Sequence, residues 1–209
     1  MPTEDARRAA AASLRNLNHA FAEADPDDDV IAAVAGVVLE QTGQLDAAPR
    51  RDRLAIMRAA MTGEAFPPQG TRAGFEDRAV AGAANPMSIE IEVLFENGVV
   101  VGRFVFRKGF EGAPGRAHGG MVAAAFDEVT GNVIGMLHEP AFTGELTVRY
   151  LEPTPMNEPI EMRAWLERRE RRKLFIEAEA RAGDRLVAIC HAIYITVDPA
   201  AFAAAPDPR

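Results

Sequence analysis

The stretch from Gly119 to Leu137 constrains this chain more than any other part of it. Wound as a helix, it would carry apolar residues around most of its circumference, with two acids, Asp127 and Glu128, near the middle. Such a helix belongs inside a protein, packed on a sheet or on other helices. It is also the only apolar run of membrane-spanning length, and its acids argue against that use. An ionised carboxylate in an apolar core costs several kcal/mol unless it is paired, hydrated or protonated. Asp127 in that setting points to chemistry rather than packing.

Around this helix the pattern is that of strands. Alternating apolar residues predict strands over 88–95, 99–107, 141–151, 159–167, 173–182 and 185–197. Asn97-Gly98 is a hairpin signal, and Gly183-Asp184 marks a second tight turn. One helix among about six strands makes an α+β fold, a curved antiparallel sheet wrapped around one helix. The first sixty residues read differently. A helix over 5–24 carries Leu14, Leu17 and Phe21 on one stripe. Asp25-Pro26-Asp27-Asp28 ends it and caps a second helix bearing Val30, Val34, Val37 and Val38. A third pattern over 50–61 places Leu54, Met57 and Met61 at helical spacing. These stripes call for a partner surface. The expected organisation is a helical extension over 1–62, a Gly-, Pro- and Ala-rich linker over 63–85, the main domain over 86–198 and a flexible tail over 199–209.

The formal net charge of −8 argues against nucleic acid as a partner. A single cysteine, Cys190, excludes an internal disulfide and a thiolate metal cage. No basic, apolar leader opens the chain, so the expected setting is the cytoplasm with no membrane contact. Asp27-Asp28-Asp29 reads as a helix start, where negative charge suits the dipole, and no metal is expected.

The chemistry concentrates at His118-Gly119-Gly120. Backbone N–H groups at a helix start lack intrahelical partners and can stabilise the negative charge that grows on a carbonyl oxygen during acyl transfer. Glycines leave such groups accessible; they also permit close packing of a loop, and spacing alone leaves both readings open. Asp127 lies eight residues after Gly119, which is roughly 12 Å along a helix axis. One carbonyl cannot touch both groups of one helix. An antiparallel second copy across a two-fold axis would bring them together and make the site shared between subunits. His118, a candidate site residue beside the glycines, is expected to hold the turn, with a hydrogen bond to substrate as the alternative. His138, near the helix end, suits the dipole there. His191 and Cys190 read as core or interface groups, and His19 has no evident partner. Arg171 and Arg172, in the Arg168–Lys173 cluster, either grip phosphates or form a solvated turn balanced by Glu167 and Glu170.

The segment Phe110-Glu111-Gly112-Ala113-Pro114-Gly115-Arg116-Ala117-His118-Gly119-Gly120, followed by Asp127-Glu128 and Gly131, resembles the hotdog-fold acyl-CoA thioesterases of the phenylacetate-pathway and 4-hydroxybenzoyl-CoA type. The similarity covers about residues 85 to 198. It implies a hotdog fold and hydrolysis of an acyl- or aryl-CoA, with coenzyme A entering as part of the substrate and no separate cofactor. It also implies a homodimer, or a dimer of such dimers. Carried over, Gly119 with Gly120 forms the oxyanion hole and Asp127 is general base or nucleophile. Thr143, at the start of the following strand, falls where relatives place a Ser or Thr beside the attacking water. Some relatives use Asn or Gln in the loop before the glycines; Gly112 stands there instead. Two alternatives remain: a hotdog hydratase or dehydratase, disfavoured because no histidine follows Asn85-Pro86, and a non-catalytic acyl-CoA-binding protein.

Overall fold

The computed structural model describes residues 4–52 and 76–198. The helix expected over 50–61, most of the linker and the tail over 199–209 lie outside the described residues. Two helices come first, α1 (Glu4–Glu23) and α2 (Asp28–Asp46). Asp27 caps α2 by accepting the Val30 N–H at 3.0 Å. Strands β1 (Glu92–Glu96) and β2 (Val99–Val105) follow, then a 3-10 turn (Lys108–Phe110) and the apolar helix α3 (Gly119–Leu137). Strands β3 (Ala141–Tyr150), β4 (Pro159–Glu170), β5 (Lys173–Ala182) and β6 (Arg185–Thr196) complete the domain. One six-stranded antiparallel sheet results, in the order β1-β2-β4-β5-β6-β3.

Asn97 and Gly98 both adopt positive φ, 48° and 82°, between the paired Glu96 and Val99. This is the two-residue hairpin turn that an Asn-Gly pair favours. The first strand starts four residues later than its alternation suggests. Glu90 has φ of 60°, and its N–H is bonded by the Ser88 hydroxyl at 2.9 Å, so the backbone turns where an extended run was expected.

α3 lies across one face of the sheet. Its Val122, Ala125, Phe126, Val129 and Val133 pack with Val100, Phe106, Ile160, Met162, Leu174 and Ile176, each 1% exposed or less. Helix and sheet approach so closely that a Cβ on Gly102 would fall 2.7 Å from Val129 Cγ2. The face of α3 turned away from the sheet runs through Gly120, Asp127 and Gly135, and all three are exposed. The burial inferred for the whole helix therefore holds for one side only. Asp127 sits on the exposed side, which its own sheet does not cover.

α1 turns polar side chains toward the rest of the chain, and both N-terminal helices leave apolar residues of their stripes outward. α1 turns Ala11, Arg15 and His19 inward and leaves Leu14, Leu17 and Phe21 outward, 47%, 38% and 56% exposed. Arg15 donates to the carbonyls of Ala83 (3.0 Å) and Asn85 (2.7 Å) and pairs with Glu90 at 2.9 Å. On α2, Val30, Val37, Val38, Leu39 and Leu45 are likewise exposed. The backbone carbonyls of 83–85 need donors, and a long guanidinium satisfies them where an apolar stripe could not.

Candidate active site

His118 ends the loop after the 3-10 turn with extended backbone, and its Nδ1 accepts the Gly120 N–H at 3.1 Å, capping α3. The His118 N–H donates to the Phe110 carbonyl at 2.8 Å. Between these bonds the Gly119 N–H has no partner among the described residues, and Gly119 lines a cavity of about 310 Å³ with Arg116, Ala117, Val122, Tyr150 and Thr154. The Gly120 amide is thus engaged by His118, whereas the Gly119 amide is open. Tyr150 donates its hydroxyl to the Gly119 carbonyl at 2.7 Å, and burial raises its pKa, which keeps that proton in place. Gly112 stands where a side chain would collide with the turn, because its Cβ would lie 2.9 Å from His118 Cα. This accounts for glycine at a position where relatives of the resembled family use an amide.

Asp127 is held from two strands. Thr143 Oγ1 on β3 donates to its Oδ1 at 2.9 Å. Tyr194 on β6, 3% exposed, places its hydroxyl 3.1 Å from the Asp127 carbonyl, 3.4 Å from Oδ1 and 2.9 Å from Thr130 Oγ1. The second carboxylate oxygen carries no hydrogen bond among the described residues. A bulge at Gly144 shifts the β3–β6 register between Thr143 and Glu145 and sets Thr143 opposite Tyr194. Asp127 and Thr143, far apart in sequence, therefore meet. Gly119 and Asp127 remain separated by two turns of one helix.

The other residues singled out in the sequence fall elsewhere. Glu128 pairs with Arg78 at 3.2 Å. His138 is the C-cap of α3 in left-handed conformation, with φ of 55°. His191 lies outside the core, exposed, and faces Glu177 on β5. Alternation along β6 explains this, since Cys190 points inward and its neighbour outward. Burial first, then the charges of Glu177 and Asp127, push the Cys190 thiol up to about 12, so it stays protonated and is no nucleophile near neutral pH. Arg171 and Arg172 form the β4–β5 turn, Arg171 with φ of 52°, and Arg172 donates to the Thr196 carbonyl at 3.0 Å. Their turn adjoins Leu174, which pairs with Tyr194, so it lies at the Thr143 end of the sheet and not at the Gly119 cavity. Neither arginine pairs with a carboxylate among the described residues. Tyr194 and Tyr150 escaped sequence reasoning. Both are lone tyrosines in strands, and the only available signal was a polar tip in an inward-facing or edge position.

Residues 114–189 match the thioesterase superfamily. The mouse (Mus musculus) acyl-coenzyme A thioesterase THEM4 is 31% identical over 91 residues, 43% of this chain and 39% of that protein. A crystal structure of a thioesterase superfamily protein superposes with a TM-score of 0.75 and 21% identity, over 93% of this chain and 97% of its own. Residues 114–189 are thus similar to the thioesterase superfamily, and the chain shares the hotdog fold. A phenylacetic acid degradation-related protein from Ralstonia eutropha JMP134 matches over 52% of this chain and 86% of its own, with a TM-score of 0.48 and 25% identity. The chain spans about two fifths of the length of the curated relative it matches. The fold likeness at 93% coverage extends past the hotdog domain into the N-terminal helices. Among the described residues no helix is long and apolar enough to cross a membrane, and no cluster of side chains suits a metal ion.

Proposed function

We infer that this chain hydrolyses the thioester of an acyl- or aryl-CoA, in a site shared by two copies of its hotdog domain. The observation that carries the reading is the open Gly119 amide at the start of α3, lining a cavity in a domain of the thioesterase superfamily. In the reaction the Gly119 N–H, aided by the helix dipole, binds the carbonyl oxygen as it becomes negative. Asp127 of the other copy either takes a proton from water as that water attacks, or attacks the carbonyl itself through its unbonded oxygen. In the first course a C–O bond forms to water, the tetrahedral oxyanion collapses, the C–S bond breaks and the thiolate leaves with the proton from Asp127. In the second, an acyl anhydride forms on Asp127 with loss of the thiolate, and water then cleaves it. Thr143 orients the carboxylate in both. Arg171 and Arg172, which pair with no carboxylate among the described residues, meet the phosphates of coenzyme A.

Two features support the two-copy site. β3 is an edge strand of ten residues with Phe142 and Tyr150 half exposed, and a long unpaired edge invites a second strand. The uncovered face of α3 is made of small residues and Asp127, which lets another helix come close.

A panel of acyl- and aryl-CoAs, followed by thiol release, tests the activity: turnover of at least one is expected, and none on the whole panel would refute it. Water addition to an enoyl-CoA, or binding without turnover, would identify the rival classes instead. Mixing Gly119→Val with Asp127→Asn protein tests the shared site. A mixed dimer keeps one intact site, so part of the activity returns, and no return refutes sharing. Light scattering distinguishes a dimer from a dimer of dimers.

A further inference from the structure

One continuous line of contacts joins the N-terminal extension to the start of α3. His19 on α1 is 4% exposed, and its Nδ1 accepts the Gly109 N–H at 3.0 Å. The same ring stands edge-on to Phe110, with centroids 5.1 Å apart at 76°. Gly109 suits this approach, since a Cβ would fall 2.8 Å from His19 Nδ1 and 2.6 Å from Asn18 Nδ2 and would force those side chains to shift. The Phe110 carbonyl accepts the His118 N–H, and His118 Nδ1 accepts the Gly120 N–H. Gly119 stands between those two bonds.

The buried clasp is directional, and it requires a lone pair on Nδ1, hence a neutral ring with its proton on Nε2. Three charged groups act on the ring. They are Arg15 from α1, Arg107 from the end of β2, held by Asn16 at 2.8 Å, and Glu90 from the segment before β1. Burial and then Arg107 lower the pKa of His19 below the ordinary 6.5, against the opposing charge of Glu90.

We propose that His19 is a positioning residue of the active site: through Gly109 and Phe110 it fixes the loop that presents the Gly119 amide to substrate. The proposal rests on the thioesterase reading for its catalytic consequence, though not for its structural one. Protonation of Nδ1 would set donor against donor at Gly109. Because the docked ring has the lowered pKa, the undocked state takes up the proton first. The clasp is therefore intact above about 6.5 and is lost as pH falls through the lower value of the docked ring.

The test uses the full chain with His19→Ala and His19→Asn, whose amide oxygen can accept in place of Nδ1. Hydrogen exchange at the His118 and Gly120 amides, resolved by NMR, needs no substrate. His19→Ala should speed both by at least about tenfold with helix content unchanged, and His19→Asn should restore them to within about threefold. On any acyl-CoA the unmodified protein hydrolyses, His19→Ala should lower kcat by about tenfold with KM within about twofold, and His19→Asn should recover kcat while losing less of it between pH 7 and 5. Unchanged exchange in His19→Ala overturns the clasp whether or not any acyl-CoA is turned over. Faster exchange with unchanged kcat overturns the positioning role. If His19→Ala detaches α1, the Asn variant decides: native exchange with a flatter acid limb supports the proposal, and an unaltered acid limb overturns it. Absence of turnover on every acyl-CoA sinks the functional reading alone.

Discussion

The two helices that frame the loop before Gly119 are held by opposite means. α3 sinks an apolar side into the sheet and leaves small residues and Asp127 facing outward. α1 buries Arg15 and His19 and leaves Leu14, Leu17 and Phe21 outside. The first is placed by the removal of apolar area from water, a large and non-directional effect. The second is placed by a few directional hydrogen bonds to backbone carbonyls and to one N–H. An apolar seat fixes where a helix lies, while a polar one also fixes what it holds, here the segments 83–90 and 107–110. A site that needs an amide within tenths of an ångström gains from both.

The contrast can be broken at either helix. Removing the ring of fully buried Phe126 on α3 is the most severe test: Phe126→Ala should cost about 3–5 kcal/mol in urea unfolding, and a loss under about 1 kcal/mol would mean α3 is not seated as described. Asp127→Ala touches the outward side of the same helix. Turnover should fall by at least about 10²-fold with the melting curve unmoved, and near-native turnover would remove Asp127 from the chemistry. On α1, Arg15→Met keeps the stem and orphans two carbonyls. About 1–3 kcal/mol should be lost, with faster amide exchange confined to 4–23 and 83–90; a uniform loss across the sheet would show that α1 and the hotdog domain unfold as one. The smallest effect is expected at Phe21→Ser, within about 0.5 kcal/mol. A larger loss, or a change of assembly size, would mean that the outer face of α1 is covered in the working protein.

Much of the site was legible because its signals are local. His118-Gly119-Gly120 begins a helix by its own backbone geometry, and Asp127 follows at a spacing any helix imposes. Asn97-Gly98 makes a turn from φ preferences alone. What escaped depends on partners distant in the chain. His19 meets Gly109 ninety residues later, and Tyr194 meets Asp127 sixty-seven residues earlier. Neither residue type announces such a contact. The apolar stripe of α1 does not identify the face that docks on its own chain: periodicity shows that a helix has two faces, and burial goes to whichever face satisfies the neighbours, carbonyls included.

The sequence by itself determined the elements, because helix and strand periods, turn residues and caps act over a few neighbouring positions. It also determined that a glycine amide and a carboxylate would ride one helix about two turns apart. Only the tertiary structure decided which sides of the helices are buried, that Asp127 lies exposed beside Thr143 and Tyr194, and that the Gly119 amide is open while that of Gly120 is not. Those outcomes come from competition among contacts that chain folding brings together, and no local preference encodes the winner.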